Sequence, residues 1–319
     1  MERDTRRVAI ACQGGGSHTA FTAGVLSRLL PDLPEDVEIV ALSGTSGGAM
    51  CAALGWYGLV HDDHEPDELL RSFWAELAAE SPTHRTANDW LQWGLGMRRW
   101  GIPLPEVSPY HNPAARWGQR ELERVLEAHV DFEAIPGLLA DDDSHLALLI
   151  SAIDVKSGEL RLFREDELSP GALLASAAEP DLFEAVEVDG RHYWDGLFTK
   201  NPPIEAFVTT EDFPDPDEVW LVKINPNERD RAPQSLHGIF NRRNELSGNI
   251  AMNAEIRFVE TVNRWVEAGY LPDRYTHTEI RTIPLDRQLD WRTKLDRNPE
   301  FLTGLIEDGV EAAETFLDE

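Results

Sequence analysis

Gly44-Thr45-Ser46-Gly47-Gly48 sets a serine between glycines in the pattern G-x-S-x-G. Such a serine becomes a nucleophile when the chain turns sharply from a strand into a helix, because the flanking glycines let the turn close and the hydroxyl project above the sheet edge. The helix that follows presents its first amides and its positive dipole end to an oxyanion. The chemistry predicted is acyl transfer, with Ser46 as nucleophile. The plain alternative for these five residues is a glycine-rich connector carrying an inert serine.

A second glycine cluster, Gly14-Gly15-Gly16, follows a short apolar run and precedes a helical pattern. Exposed amides at a helix start bind an anion, either a phosphate or the oxygen of a tetrahedral intermediate. A phosphate loop would end in GK[ST], and a dinucleotide loop would carry glycine where Thr19 stands. An oxyanion hole of Gly14, Gly15, Gly16 and the Gly47 amide is the better reading. A base for Ser46 is harder to find. His61, His64, His84, His129, His145, His237 and His277 lie in no motif and read as surface or loop residues. Asp195, in Tyr193-Trp194-Asp195-Gly196, is either a simple Asp-Gly turn or an aspartate that desolvation beside aromatics raises into the useful range of a general base.

Placing these residues requires a parallel sheet. Val8 to Cys12 and Val37 to Leu42 read as buried strands, each followed by a glycine turn and a helix, which implies right-handed β-α-β crossovers. Further strands are predicted at Leu146 to Ile153, Leu160 to Phe163, Val186 to Val188, Val219 to Ile224 and Ile280 to Ile283. Helices are predicted at Pro66 to Ala79, Arg120 to Ala128, Asn249 to Ala268 and Pro299 to Leu317. Proline-rich loops fall around 102–113 and 202–216. No repeat or flexible linker divides residues 1–319, so a single domain is expected.

Composition narrows the partners. The 319 residues carry 58 acidic and 29 basic side chains, a formal net charge of −29. This leaves no cationic excess to displace phosphate counterions, which excludes nucleic acid, and none to hold the protein to anionic lipid by charge alone. Only Lys156, Lys200, Lys223 and Lys294 are lysines. An acid-rich, lysine-poor chain suits concentrated salt, where screening suppresses self-repulsion, so a salt-adapted host is the reading preferred over compositional drift. Cys12 and Cys51 make no disulfide framework, no run is long enough for a membrane span, and a cytoplasmic location is expected.

Taken together and in order, four blocks resemble the patatin-like lipid acyl hydrolases. They are Gly14-Gly15-Gly16 with Ala23-Gly24-Val25-Leu26, then Gly44-Thr45-Ser46-Gly47-Gly48, then Ala175-Ser176 with Pro180, Phe183 and Val186, and last Asp195-Gly196 with Asn201 and Pro203. The resemblance spans about residues 7 to 310. It implies a three-layer α/β/α fold with a mainly parallel central sheet, related to the α/β-hydrolases. It also implies a Ser–Asp dyad of Ser46 and Asp195 without histidine, and an oxyanion hole on the Gly14–Gly16 loop. No metal or organic cofactor is implied. The sequence departs from the family pattern at His18, where Arg or Lys is usual, at Thr19, and at Leu197, where a second glycine usually follows Asp-Gly. His18 reads equally well as a loop residue and as a hydrogen-bond donor.

Between His84 and Arg120 the acidity stops. Arg85, Arg98, Arg99, Arg116 and Arg120 face only Asp89 and Glu106, and Trp90, Trp93, Trp100 and Trp117 lie among Leu91, Leu95, Met97 and Ile102. Segment 84–120 reads either as a lid or docking patch for a membrane or storage-granule surface, or as tryptophans filling a core beneath a long loop. The expected activity is carboxylic-ester hydrolysis of lipid-like substrates, of the phospholipase A or lipid acyl hydrolase type. Two alternatives accompany it: depolymerisation of intracellular polyhydroxyalkanoate granules by the same dyad, and a lipid-binding protein that kept the fold and lost the rate.

Overall fold

The computed structural model describes residues 5–61, 63–99, 107–141, 146–210, 214–272 and 275–319. Strand β1 (Arg6–Cys12) shows how the sheet is built. Its residues point alternately to opposite faces, and both sets are apolar. Val8, Ile10 and Cys12 enter the larger core, while the small Ala9 and Ala11 enter a second one. A strand apolar on both faces must be covered on both, which is the condition for a three-layer sandwich.

One layer is formed by α1 (Ala20–Leu29), α2 (Gly47–Val60), α3 (Pro66–Leu77), α5 (Pro113–His129), α7 (Pro170–Ser176) and α10 (Pro299–Leu317). The other holds α8 (Ala206–Thr209) and α9 (Leu236–Glu267), which place Phe207, Met252 and Val259 over Ala9, Ala11, Ala41 and Leu221. Alanines on this face of the sheet let the long α9 approach closely. Helices α4 (Pro82–Arg99) and α6 (Ile135–Asp141) complete the set.

Between the layers lie β2 (Val37–Gly44), β3 (Ala147–Asp154), β4 (Leu160–Arg164), β5 (Val186–Val188), β6 (Arg191–Asp195), β7 (Glu218–Lys223) and β8 (Glu279–Pro284). With β1 they form one sheet in the order β5-β6-β3-β2-β1-β7-β8, and β4 pairs with β3. Pairing is parallel from β3 through β8 and antiparallel where β4, β5 and β6 are added. The expected α/β/α architecture with a mainly parallel sheet is thus the one observed. No helix among the described residues is long and apolar enough to cross a membrane.

One detail of register positions everything that follows. Strand β4 occupies one edge of β3 from Leu149 to Ile153, leaving the other edge to both β2 and β6. Strand β2 pairs with the first half of that edge, ending with Gly44 opposite Ile150, and β6 pairs with the second half, starting with Asp195 opposite Ala152. The two strands therefore meet end to end against β3.

Several boundaries differ from expectation. Helix α9 begins at Leu236 rather than 249, because Ser235 caps it through the Gly238 amide at 3.0 Å and the polar residues His237, Asn241, Arg242 and Asn244 of its first turns bond to Asp290, Trp291 and Lys294 and to the carbonyls of Pro226 and Asn227. Helix α5 begins at Pro113, where Asn112 accepts the Ala114 amide. Residues 82–99 form a helix although few of their apolar side chains are buried, and α7 and β6 were not anticipated as separate elements.

Candidate active site

Ser46 stands between β2 and α2 with φ 57° and ψ −130°, a left-handed conformation that a residue with a side chain adopts only at a cost of about 1–3 kcal/mol. The surroundings hold it there. Its amide donates to the Ser176 hydroxyl, buried at the end of α7, at 2.9 Å. Its carbonyl accepts the Ala49 amide at 2.9 Å, so the first turn of α2 grips the elbow from the other side. Beneath it the hydroxyls of Thr45 and Ser151 lie 2.6 Å apart and both reach the Lys200 carbonyl. A backbone strained in this way is held in place by its bonds to Ser176 and to the first turn of α2.

The end-to-end meeting of β2 and β6 brings Asp195 near Ser46, close enough for the Ser46 hydroxyl to favour the charged form of the Asp195 carboxylate. Asp195 is 2% exposed. Its Oδ1 accepts the Leu197 amide at 2.9 Å, which caps the short turn at Gly196–Phe198, and its own amide donates to the Ala178 carbonyl. Burial raises the Asp195 pKa to about 7, against the opposing pull of the Leu197 amide, the Ser46 hydroxyl and the Lys294 ammonium. Leu197, a departure from the usual family glycine, supplies its amide to this carboxylate and so keeps the backbone role of the position. Glu179, also raised to about 7 by burial and by the charges of Asp181 and Asp195, adds a second weakly acidic carboxyl nearby.

The glycine loop lies directly beside the serine. A side chain on Gly14 would reach to 2.5 Å of the Thr45 carbonyl and 3.0 Å of Ser46 Cβ, so only glycine fits there. Gly16 takes a positive φ of 57° and packs on the Lys294 carbonyl, and Gly47 packs against the Thr19 hydroxyl and the Gly16 carbonyl. Thr19 Oγ1 donates to the Gly16 carbonyl at 2.6 Å, tying the loop to its own helix. Ser46, Asp195, Gly14, Gly15, Gly16 and Gly47 are all brought together at the carboxyl ends of β1, β2 and β6. Within the loop, however, the Gly14 amide already donates to Asn201 Oδ1 at 2.7 Å. It is committed inside the protein, which corrects its expected role as a free donor.

Behind the loop runs a buried amide network. Gln13 Oε1 accepts the amides of Ile224 and Asn225, and Gln13 Nε2 donates to Asn249 Oδ1 and the Gly248 carbonyl. Asn201 Nδ2 also reaches the Gly248 carbonyl, at 3.4 Å. With both ends of the Gln13 amide paired, the network rigidifies what it holds, here the start of the glycine loop. His18 is turned away from Ser46: it is 4% exposed, lies 2.7 Å from the Thr293 hydroxyl through Nε2, and meets Phe301 edge to face. Burial, with Lys294 and Arg287 nearby, lowers its pKa well below the usual value and keeps it neutral. The histidines set aside from the sequence find other partners, His129 the Val125 carbonyl, His237 Asp290 and His277 Glu267; His145 lies outside the described residues.

Asn201, Ser176, Gln13 and Lys294 carry structural weight that their sequence context did not reveal. Asn201 and Ser176 stood inside recognisable blocks without an evident task. Gln13 and Lys294 had no local signal, since their partners lie far along the chain. The cysteines are free and buried, and burial pushes their thiols up, Cys51 to about 12. Among the described residues no cluster of His, Cys, Asp and Glu is arranged to hold a metal ion.

The tryptophan segment is exposed rather than core. Trp90, Trp93 and Trp117 are 67%, 59% and 45% exposed, with Trp90 and Trp93 in edge-to-face contact. Trp100, Ile102 and Glu106 lie outside the described residues. Helix α9, which α4 touches, adds exposed Leu236, Ile239, Phe240, Leu246 and Ile250, and Phe198 is exposed three residues beyond Asp195.

The chain belongs to the patatin-like phospholipase family, whose model it matches over residues 10–208. Membership places it in the class of lipid acyl hydrolases, which cleave carboxylic esters. Among solved structures, VipD from Legionella pneumophila is similar at 13% identity and a TM-score of 0.42, over 99% of this chain and 67% of that one. No curated protein matches the sequence. Residues 209–319, beyond the family match, supply Asn225, Gly248, Asn249 and Lys294 to the network around the glycine loop.

Proposed function

We propose that the chain hydrolyses carboxylic esters of lipid-like substrates through a Ser46–Asp195 dyad. The observation that carries this reading is the strained Ser46 elbow set, by the meeting of β2 and β6, beside a buried carboxylate whose pKa is raised to about 7. An ordinary aspartate is too weak a base to take a serine proton, whereas one near neutrality is matched to the task. Ser46 Oγ attacks the ester carbonyl as Asp195 accepts its proton. The oxyanion is met by the amides of Gly15, Gly16 and Gly47, because Asn201 holds the Gly14 amide. Collapse expels the alcohol, which takes the proton from Asp195, and leaves an acyl-Ser46. Water, deprotonated by Asp195, then releases the carboxylate.

The exposed aromatic and aliphatic side chains of α4, α9 and Phe198 support an interfacial substrate, and we assign residues 84–97 and 107–120 with the first half of α9 to contact with a lipid surface. The experiment is a fluorophosphonate probe together with ester hydrolysis. Wild type labels at Ser46 and cleaves p-nitrophenyl esters, and Ser46→Ala does neither. Unlabelled wild-type protein would instead mark a lipid binder without turnover. Fatty acid released from ester-lipid vesicles in molar salt supports the substrate class, and 3-hydroxybutyrate released from polyhydroxybutyrate granules alone overturns it.

A further inference from the structure

Lys294 lies in the short helical turn Trp291–Leu295, far along the chain from both dyad residues. Its carbonyl is the surface on which Gly16 rests, so its backbone touches the loop expected to receive the oxyanion. Its ammonium points into a cleft lined by His18, Asn225, Asn244, Glu245 and Trp291. There Nζ donates to Asn225 Oδ1 at 3.0 Å and to Asn244 Oδ1 at 2.6 Å. Both partners are neutral amides. The one carboxylate lining the cleft, Glu245, is already paired with Arg229 and Arg242. A lysine charge held by amides and left without a carboxylate keeps its field for other groups, and in a partly buried setting that field is weakly screened.

We propose that Lys294 is a positioning residue of the hydrolytic site, an ammonium held behind the glycine loop that steadies negative charge on Asp195 and on the oxyanion. The proposal rests on the Ser46–Asp195 reading. Glu245 draws the Lys294 pKa up most and Asp195 adds to that pull, while Lys294 in turn draws the Asp195 pKa down. Burial outweighs this pull and lowers Lys294 to about 8, so its charge is itself titrated within reach of the working range. The groups facing Lys294 from neighbouring elements do not supply a substitute. From the Gly16–Thr19 turn comes His18, which is neutral. From α9 comes Glu245, held by its arginines. Arg287, after β8, is paired with Asp308, and within the turn Asp290 pairs with Arg292. Helix α4 adds the neutral Asn88 and Gln92, bonded to Asp296 and to the Arg292 carbonyl.

The test is the pH dependence of kcat and KM on a soluble p-nitrophenyl ester for wild type, Lys294→Met and Lys294→Arg. Wild-type kcat rises through pH 7 as Asp195 ionises and falls again above about 8 as Lys294 loses its proton. In Lys294→Arg the cation persists and the alkaline fall disappears, with kcat at pH 7.5 within about threefold of wild type. In Lys294→Met the rise moves to higher pH and kcat drops about 10- to 100-fold, while KM changes little. Profiles of both variants that superimpose on wild type overturn the proposal, and so does equal loss in both variants with no displaced limb. A wild-type profile with no alkaline fall overturns it even if Lys294→Met does not fold. The underlying dyad reading fails separately, through a Ser46→Ala protein that keeps wild-type turnover.

Discussion

Asn201 Oδ1 accepts the Gly14 amide at 2.7 Å while its Nδ2 reaches the Gly248 carbonyl on α9, so one buried side chain joins the glycine loop to the helical layer behind it. Asn201→Ala leaves that amide without its partner and frees the loop to move against Ser46. Stability should fall by about 1–3 kcal/mol, measured by denaturant unfolding. Turnover of a soluble ester should fall about tenfold more than KM rises, because the loosened donors serve the transition state rather than the ground state.

The raised pKa of Asp195 carries a cost in stability. Between about pH 4 and 7 the folded protein binds a proton at Asp195 that the unfolded chain releases, so this group's contribution is fully present in acid and declines as pH rises through 7. Asp195→Asn removes the penalty of the buried charge. Calorimetry should find the variant more stable than wild type at pH 8 by about 2–4 kcal/mol, with the gap closed at pH 4. Its hydrolytic activity should be lost at every pH.

The backbone at Ser46 makes a related prediction. At φ 57° a β-carbon is strained, and glycine relieves the strain. Ser46→Gly and Ser46→Ala should both be inactive, yet the glycine protein should unfold about 1 kcal/mol higher than the alanine protein. Equal stability would show that the elbow stores no strain.

If the exposed tryptophans of α4 meet the lipid surface, Trp90→Ala with Trp93→Ala should separate two activities. Hydrolysis of ester lipid in vesicles should fall by about tenfold or more, the loss expected from roughly 1.4 kcal/mol of apolar contact. Soluble ester turnover should stay within about twofold of wild type. Parallel loss of both activities would place these rings in the fold rather than at the interface.

Local chemistry made most of this arrangement legible in the sequence. The serine elbow, the glycine loop and the first two strands each announce themselves within a few residues, because turns and buried strands leave local compositional marks. Asp195 is indistinguishable from a turn until the family pattern ties it to Ser46, since what suits it to the proposed role of base is burial and the register of β6 on β3, both long-range. Asn201, Gln13 and Lys294 act through partners distant in the chain, and nothing nearby marks them. For His18 the sequence leaves a loop residue and a donor equally open, and packing against Thr293 and Phe301 is what turns it away from the serine. The first turns of α9 leave no helical apolar pattern in the sequence, because their His237, Asn241 and Asn244 answer to Asp290, Trp291 and Lys294, about 50 residues further along the chain.

Ser46 and Asp195 reach each other only because β2 and β6 share one edge of β3. A slip of one residue in β6 would send Asp195 to the opposite face of the sheet and leave the serine without its acid. On the proposed dyad, turnover would serve as a clock for folding. A refolding chain that has collapsed, formed its helices and paired β1 with β2 remains silent until that antiparallel strand settles into register, and the first molecule of product dates the moment it does.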